Sequence, residues 1–174
     1  EQIDVKKIIA IAEAAGKEIM QIYDTDDFAV TDKSDNSPLT KADKAGNAVI
    51  VAALKEQYPQ IPIISEENKM IEYADRKDWN YFWLVDPLDG TKEFIKKNGE
   101  FTVNIALVRN GKPVLGVVGI PAKNQMYYAV ENKGAYKIDE NGVETKLVVN
   151  EPKTDEIALI GSRSHPSPEF DAYL

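Results

Sequence analysis

Cysteine is absent from this 174-residue chain, which excludes a disulfide framework and a thiol nucleophile. No apolar run approaches the length needed to span a membrane, and the N-terminus carries no signal-peptide pattern. Positive charge is in deficit: the formal net charge is -8, which argues against a nucleic-acid polymer or an anionic membrane as partner. A small anionic substrate remains admissible, because bound cations invert a local field. Internal repeats and low-complexity tracts are also missing, and histidine occurs once, at His165. What is present is an ordinary globular balance, 43% hydrophobic and 29% charged. The length suits one domain, or one and part of a second. A cysteine-free chain fits the cytoplasm, at most peripheral at the inner face of a membrane. Nothing in the pattern fixes an oligomeric state.

Residues 4 to 23 carry Val5, Ile8, Ile9, Ala12, Ile19 and Ile22 at helical spacing, with charged residues between them. Phe28 to Thr31 reads as a short strand and Asp32 to Pro38 as a loop, in which Lys33 is most simply a solvated lysine. Thr40 to Tyr58 is a second helix, closed by Pro59; Thr40 and Asp43 resemble a capping box. Ile61 to Ser65 is a short strand followed by Glu66 and Glu67, and 68–80 is a polar connection. From Glu100 to Lys146 the chain reads as an antiparallel meander. Asn110-Gly111 marks a hairpin, and further turns fall at Asn132-Lys133-Gly134 and Asn141-Gly142. The expected class is therefore α+β, a layered sandwich of helices on an antiparallel sheet over residues 1–150. Residues 151–174 read as a linker and the beginning of a truncated C-terminal α/β domain: a strand over Ile157–Gly161, then a helix starting at Ser167-Pro168.

The stretch Trp83 to Phe94 organises the rest. An apolar strand, Tyr81 to Val85, ends at Asp86, turns through Pro87, meets Asp89 and enters a short helix that Asn98-Gly99 is expected to end. Asp89 is the expected N-cap, with Gly90 and Thr91 in the first turn. Two carboxylates three residues apart can ligate a hard cation such as Mg2+, and free N–H groups at a helix start can hold a phosphate oxygen. A plain turn accounts for Asp-Pro-x-Asp-Gly equally well. The acids at Glu66 and Glu67 are solvated on the simplest reading. If their strand ends beside that of Asp86, however, Glu66, Asp86 and Asp89 form one cluster, which repels itself unless a cation compensates. Capping is the structural role open to Thr40 and Asp43; polarising a metal-bound water is the functional one for Asp43.

Ile64-Ser65-Glu66-Glu67 followed by Trp83-Leu84-Val85-Asp86-Pro87-Leu88-Asp89-Gly90-Thr91 resembles the inositol monophosphatase superfamily of metal-dependent, lithium-sensitive phosphatases. Lys92-Glu93 after Thr91, and Asn98-Gly99-Glu100-Phe101-Thr102-Val103-Asn104-Ile105, are similar to its bacterial 3'(2'),5'-bisphosphate nucleotidase branch, which serves sulfate assimilation. The resemblance implies Mg2+ held by Glu66, Asp86, the Leu88 carbonyl and Asp89. It implies a catalytic group of Asp43, Thr91 and Glu66. Substrate contacts would come from Glu66, Asp89, Gly90, Thr91 and Lys92, with His165 reaching the nucleotide from a second domain, although for His165 a surface-loop role stays equally open. The implied reaction removes the 3'-phosphate of 3'-phosphoadenosine 5'-phosphate by water attack assisted by two or three metals, giving AMP. The partner is thus a small phosphorylated nucleotide. The chain departs from the family in one respect. A further metal-ligating aspartate belongs to a Trp-Asp motif, whereas this chain has Trp79-Asn80 and Trp83-Leu84, so the expected site is incomplete. An inositol monophosphatase, a non-catalytic module that binds metal or nucleotide, and a ligand-free structural domain are the competing readings.

Overall fold

The amphipathic periodicity near the N-terminus becomes helix α1 (Val5–Tyr23), whose buried stripe includes Ile8, Ile9, Ala12, Ala15 and Ile19. The Asp4 carboxylate caps it by accepting from the Lys6 N–H. A two-residue pair, β1 (Thr31–Asp32) with β2 (Pro38–Leu39), leads to α2 (Lys41–Gln57). Then come β3 (Ile63–Ser65), the single turn α3 (Tyr73–Arg76), β4 (Tyr81–Asp89) and α4 (Thr91–Ile95). The meander follows as β5 (Thr102–Arg109), β6 (Lys112–Ile120), a 3-10 turn at Pro121–Lys123, β7 (Gln125–Val130), β8 (Gly134–Ile138) and β9 (Glu144–Leu147), and α5 spans Pro168–Tyr173. The computed structural model describes residues 3–25, 28–32, 38–149, 159–161 and 168–173. Among the described residues no helix is long and apolar enough to cross a membrane.

The seven-stranded sheet runs β3-β4-β5-β6-β7-β8-β9 in spatial order. Its strands pair antiparallel from β4 to β9, as the turn signals require, but β3 pairs parallel to β4. The expected all-antiparallel sheet is therefore corrected to a mixed one. The reason is that 66–80 return the chain to the same end of the sheet before β4 begins. The hairpin at Asn110-Gly111 has φ of 50° and 75° at its two central residues, the left-handed pair that a two-residue turn needs. Helices α1 and α2 cover one face of the sheet. Trp83, Val85, Val103, Ile105, Leu107, Leu115 and Val117 point into this shared core and are nearly inaccessible. The opposite face is partly open, with Leu84 46% and Val118 39% exposed. The class is an α+β layered sandwich.

Several boundaries differ from expectation: the strand read over Phe28 to Thr31 pairs only at Thr31–Asp32, and the one read from Ile61 begins at Ile63. β4 continues to Asp89 instead of stopping at Val85, and α3 interrupts the connection assigned to 68–80. The helix after the central stretch ends at Ile95 rather than at Asn98-Gly99. Left-handed Lys97 closes it, with φ of 55°, and its N–H and that of Asn98 donate back to Phe94 O and Glu93 O. Beyond β9, α5 starts at Pro168, as its N1 proline predicts. Leu159–Gly161 have no regular structure; the rest of the expected strand, with Lys33, Ser167 and His165, lies outside the described residues.

Candidate active site

The parallel register pairs Ser65 with Val85, so the next residue on each strand, Glu66 and Asp86, comes out side by side. The Glu66 N–H donates to Val85 O at 3.1 Å and fixes the alignment. One step further, β4 acquires an extra residue. Asp86 pairs with Asn104 but Asp89 pairs with Thr102, leaving three steps on β4 against two on β5. This bulge at Pro87-Leu88 brings Asp89 to the same side as Asp86, where strict alternation would send it to the opposite face. Asn104 supports Asp89, its Nδ2 donating to Oδ2 at 3.4 Å.

The electrostatics confirm the proximity of these groups. Burial above all, and then the charges of Glu66 and Asp89, push the Asp86 carboxyl from 3.8 up to about 7. Its Oδ1 is buried and has no hydrogen-bond partner. An orphaned carboxylate oxygen among other carboxylates, in an all-oxygen donor set, fits a hard divalent cation. Among the described residues, no three acidic or imidazole side chains close a metal cage by themselves. A cation here would also draw on the backbone carbonyl at Leu88.

Helix α2 packs against β4. Thr40 is its N-cap and Asp43 its third residue, and the capping box is present. Asp43 Oδ2 accepts from the Thr40 N–H at 2.8 Å and from Thr40 Oγ1 at 2.5 Å, while Oδ1 accepts from Thr91 Oγ1 at 3.1 Å. The capping and functional roles of Asp43 are thus not exclusive, since each carboxylate oxygen serves one. Both Thr40 and Asp43 are 1% exposed. Thr91 also approaches Leu88 O at 3.4 Å.

Asp89 is not the N-cap of α4. That position belongs to Gly90, with φ of 94° and no side-chain cap. A Cβ on Gly90 would stand 2.8 Å from Glu100 O, so only glycine fits the corner that delivers Thr91. Phe94 anchors the helix beneath, with ring centroids 5.1–5.2 Å from those of Tyr23, Phe28 and Phe101. Lys92 lies exposed on α4. The structure therefore gathers Glu66, Asp86, Leu88, Asp89, Gly90 and Thr91 around the end of β4, with Asp43 reaching Thr91 from α2. A cleft of about 820 Å³ adjoins them on the open sheet face, lined by Glu66, Asp86, Asn104, Leu84 and Val118 among others.

Residue reading missed a second group. Ser65 Oγ donates to Asn47 Oδ1 at 2.6 Å, and Asn47 Nδ2 donates to Asn68 Oδ1 at 3.0 Å. The available signal was spacing: Asn47 lies four residues after Asp43, on the same face of α2.

Comparisons with known proteins give the family and the fold. The model of the inositol monophosphatase family matches residues 2–172. The 3'(2'),5'-bisphosphate nucleotidase CysQ of Escherichia coli K12 is 47% identical over 169 residues, 97% of this chain and 67% of that protein. Its counterpart from Salmonella typhimurium is 46% identical over 171 residues, 98% and 68% of the two chains. The crystal structure of CysQ from Bacteroides thetaiotaomicron superposes with a TM-score of 0.74 at 45% identity, covering 97% of this chain and 65% of that one. A Thermotoga maritima IMPase gives 0.68 at 28% identity, covering 76% and 50%. The chain thus spans about two thirds of the length of these curated relatives, 67–68%.

Proposed function

This chain belongs to the inositol monophosphatase family, and from that premise we propose that it acts as a 3'(2'),5'-bisphosphate nucleotidase. It is a phosphoric monoester hydrolase that removes the 3'-phosphate of 3'-phosphoadenosine 5'-phosphate to give AMP. The cofactor is Mg2+, and the ligands are Glu66, Asp86, the Leu88 carbonyl and Asp89. Residues 1–150 form the metal- and phosphate-binding domain, and 151–174 a linker with the beginning of a C-terminal α/β domain. The observation that carries the reading is the register of β3 and β4 with its bulge. It sets a buried, unpartnered Asp86 oxygen among Glu66 and Asp89, while Thr91, two residues past Asp89, bonds Asp43.

Mg2+ supplies positive charge that neutralises the phosphoryl oxygens and lowers the pKa of water. The protein's own groups do the positioning. Because the Thr91 hydroxyl donates its hydrogen bond to Asp43, its lone pairs are left to accept from the attacking water, and the proton that the water loses passes through Thr91 to the Asp43 carboxylate. The capping bonds hold Asp43 in place for this. Gly90 and Lys92 meet the phosphate, with Glu66 and Asp89 at its edge. Attack forms a bond from the water oxygen to phosphorus and breaks the bond from phosphorus to the ribose 3'-oxygen, which takes a proton from solvent and leaves as the hydroxyl of AMP beside inorganic phosphate.

The test is phosphate release from 3'-phosphoadenosine 5'-phosphate with and without Mg2+, using inositol 1-phosphate as comparator. It is run on this chain and on the full reading frame, each with its Asp89→Asn variant. Mg2+-dependent release that prefers the nucleotide and disappears in Asp89→Asn is expected. Preference for inositol 1-phosphate would move the activity to the other branch of the family, and unchanged release by Asp89→Asn would refute the site.

A further inference from the structure

The two adjacent acids Glu66 and Glu67 occupy the middle of a four-residue turn, closed where the Asn68 N–H donates to Ser65 O at 3.1 Å. One side chain outside the turn holds both of its ends. The Asn47 amide accepts from the Ser65 hydroxyl at 2.6 Å and donates to the Asn68 side chain at 3.0 Å. Ser65 is 6% exposed, so its hydroxyl has little recourse to water and depends on that acceptor. Asn47 can do both because an amide is donor and acceptor at once.

The placement of Asn47 is set by the core. A Cβ on Gly46 would stand 2.9 Å from Ile19 Cδ1 and 3.4 Å from Pro87 O. Glycine there lets α2 lie close to both α1 and the bulge of β4. The same helix face then presents Asp43 to Thr91 and, one turn on, Asn47 to the turn. Glu66 faces Asp86 across the parallel pair, and their charges repel. The Glu66 N–H is held by Val85 O, and the bonds from Asn47 restrain the two ends of the turn that carries its side chain.

We propose that Asn47 is a positioning residue: it clamps the turn 65–68 so that Glu66 stays beside Asp86 in the geometry a divalent cation needs. This rests on the reading of Glu66, Asp86 and Asp89 as a Mg2+ site. Partners that orient a metal ligand from behind typically affect metal affinity by 10- to 100-fold, and the low end applies to a clamp acting through the backbone of a turn.

The experiment is a Mg2+ titration of this chain, followed by thermal unfolding and by calorimetry, for the wild type, Asn47→Ala, Ser65→Ala and the double variant. Alanine is a good helix former, so Asn47→Ala should leave α2 folded. The half-saturating Mg2+ concentration should rise about tenfold in each single variant. The double variant should be no worse than the more affected single, because both remove the same clamp. Amide exchange at Asn68 should accelerate in Asn47→Ala. A half-saturating concentration unchanged in Asn47→Ala, with only the metal-free melting temperature lowered, would overturn the proposal by making Asn47 purely structural. A wild type with no saturable Mg2+ response would refute the metal site itself, and the clamp would fall with it. The wild-type titration thus separates the two failures.

Discussion

Replacing Asp86 by asparagine should stabilise the protein without metal and remove its response to Mg2+. The Asp86 carboxyl titrates near about 7 in the folded chain against 3.8 when unperturbed, because it is buried and faces Glu66 and Asp89. A raised carboxyl pKa means that the folded state binds the proton more tightly. The protonated form therefore supports the fold fully below pH 4, and that support is lost as pH rises through about 7. Each pKa unit corresponds to about 1.4 kcal/mol, so the whole displacement would cost about 4 kcal/mol above pH 7. The group is partly reached by solvent, which screens that figure to about 1–2 kcal/mol. Asparagine has the same shape, carries no charge and can donate to the neighbouring carboxylates. In EDTA at pH 8, Asp86→Asn should melt roughly 2–8 °C above the wild type. At pH 4 to 5 the two should converge. Saturating Mg2+ should raise the wild type alone at pH 8. Thermal unfolding at both pH values, with and without metal, decides the matter. A variant with the pH slope of the wild type would refute the assignment of the strain to Asp86, and an intact Mg2+ response would refute its role as a ligand.

Two other substitutions separate chemistry from scaffold. Thr91→Val keeps the shape and removes the donor to Asp43. Phosphate release should fall by about 100-fold or more and stability by about 1–2 kcal/mol, with the half-saturating Mg2+ concentration unchanged; steady-state kinetics and a metal titration check both. Gly90→Ala forces a left-handed alanine, about 1–2 kcal/mol, and a Cβ 2.8 Å from Glu100 O. With overpacking of about 1–3 kcal/mol, its melting temperature in differential scanning calorimetry should drop by roughly 5–15 °C.

The helices and hairpins were legible because their signals are local. The stripe of α1, the Thr40–Asp43 capping box and the left-handed pair at Asn110-Gly111 each lie within one element or turn. Ser65-Glu66 and Asp86 could be paired from their positions at strand ends, but the parallel direction of β3 was not written in either strand. The bulge was invisible for a related reason. Alternation along β4 shows where its own side chains point, not that β5 offers one residue fewer between Thr102 and Asn104. Asp89 was misplaced as a cap because Asp-Gly-Thr matches a helix start; the close approach of Glu100 to Gly90, contributed by a distant part of the chain, decides otherwise. Asn47 was overlooked since its partners lie 18 and 21 residues away.

The bulge also explains how the acidic cluster can sit at the edge of a stable core. From Trp83 to Val85, β4 buries its odd-numbered residues: Trp83 is 0% and Val85 2% exposed. Continued alternation would bury Asp89 and turn Leu88 outward. With one residue inserted opposite β5, Leu88 returns to the core at 2% exposure, and Asp89 emerges beside Asp86. One backbone irregularity thus meets two demands, packing and charge placement, which a regular strand would set against each other. The remaining cost falls on Asp86, held in place by buried neighbours on its own strand and facing like charges. The core does not tolerate the site in spite of its packing; the packing of Trp83, Val85 and Leu88 is what denies Asp86 the freedom to move away from its acidic neighbours.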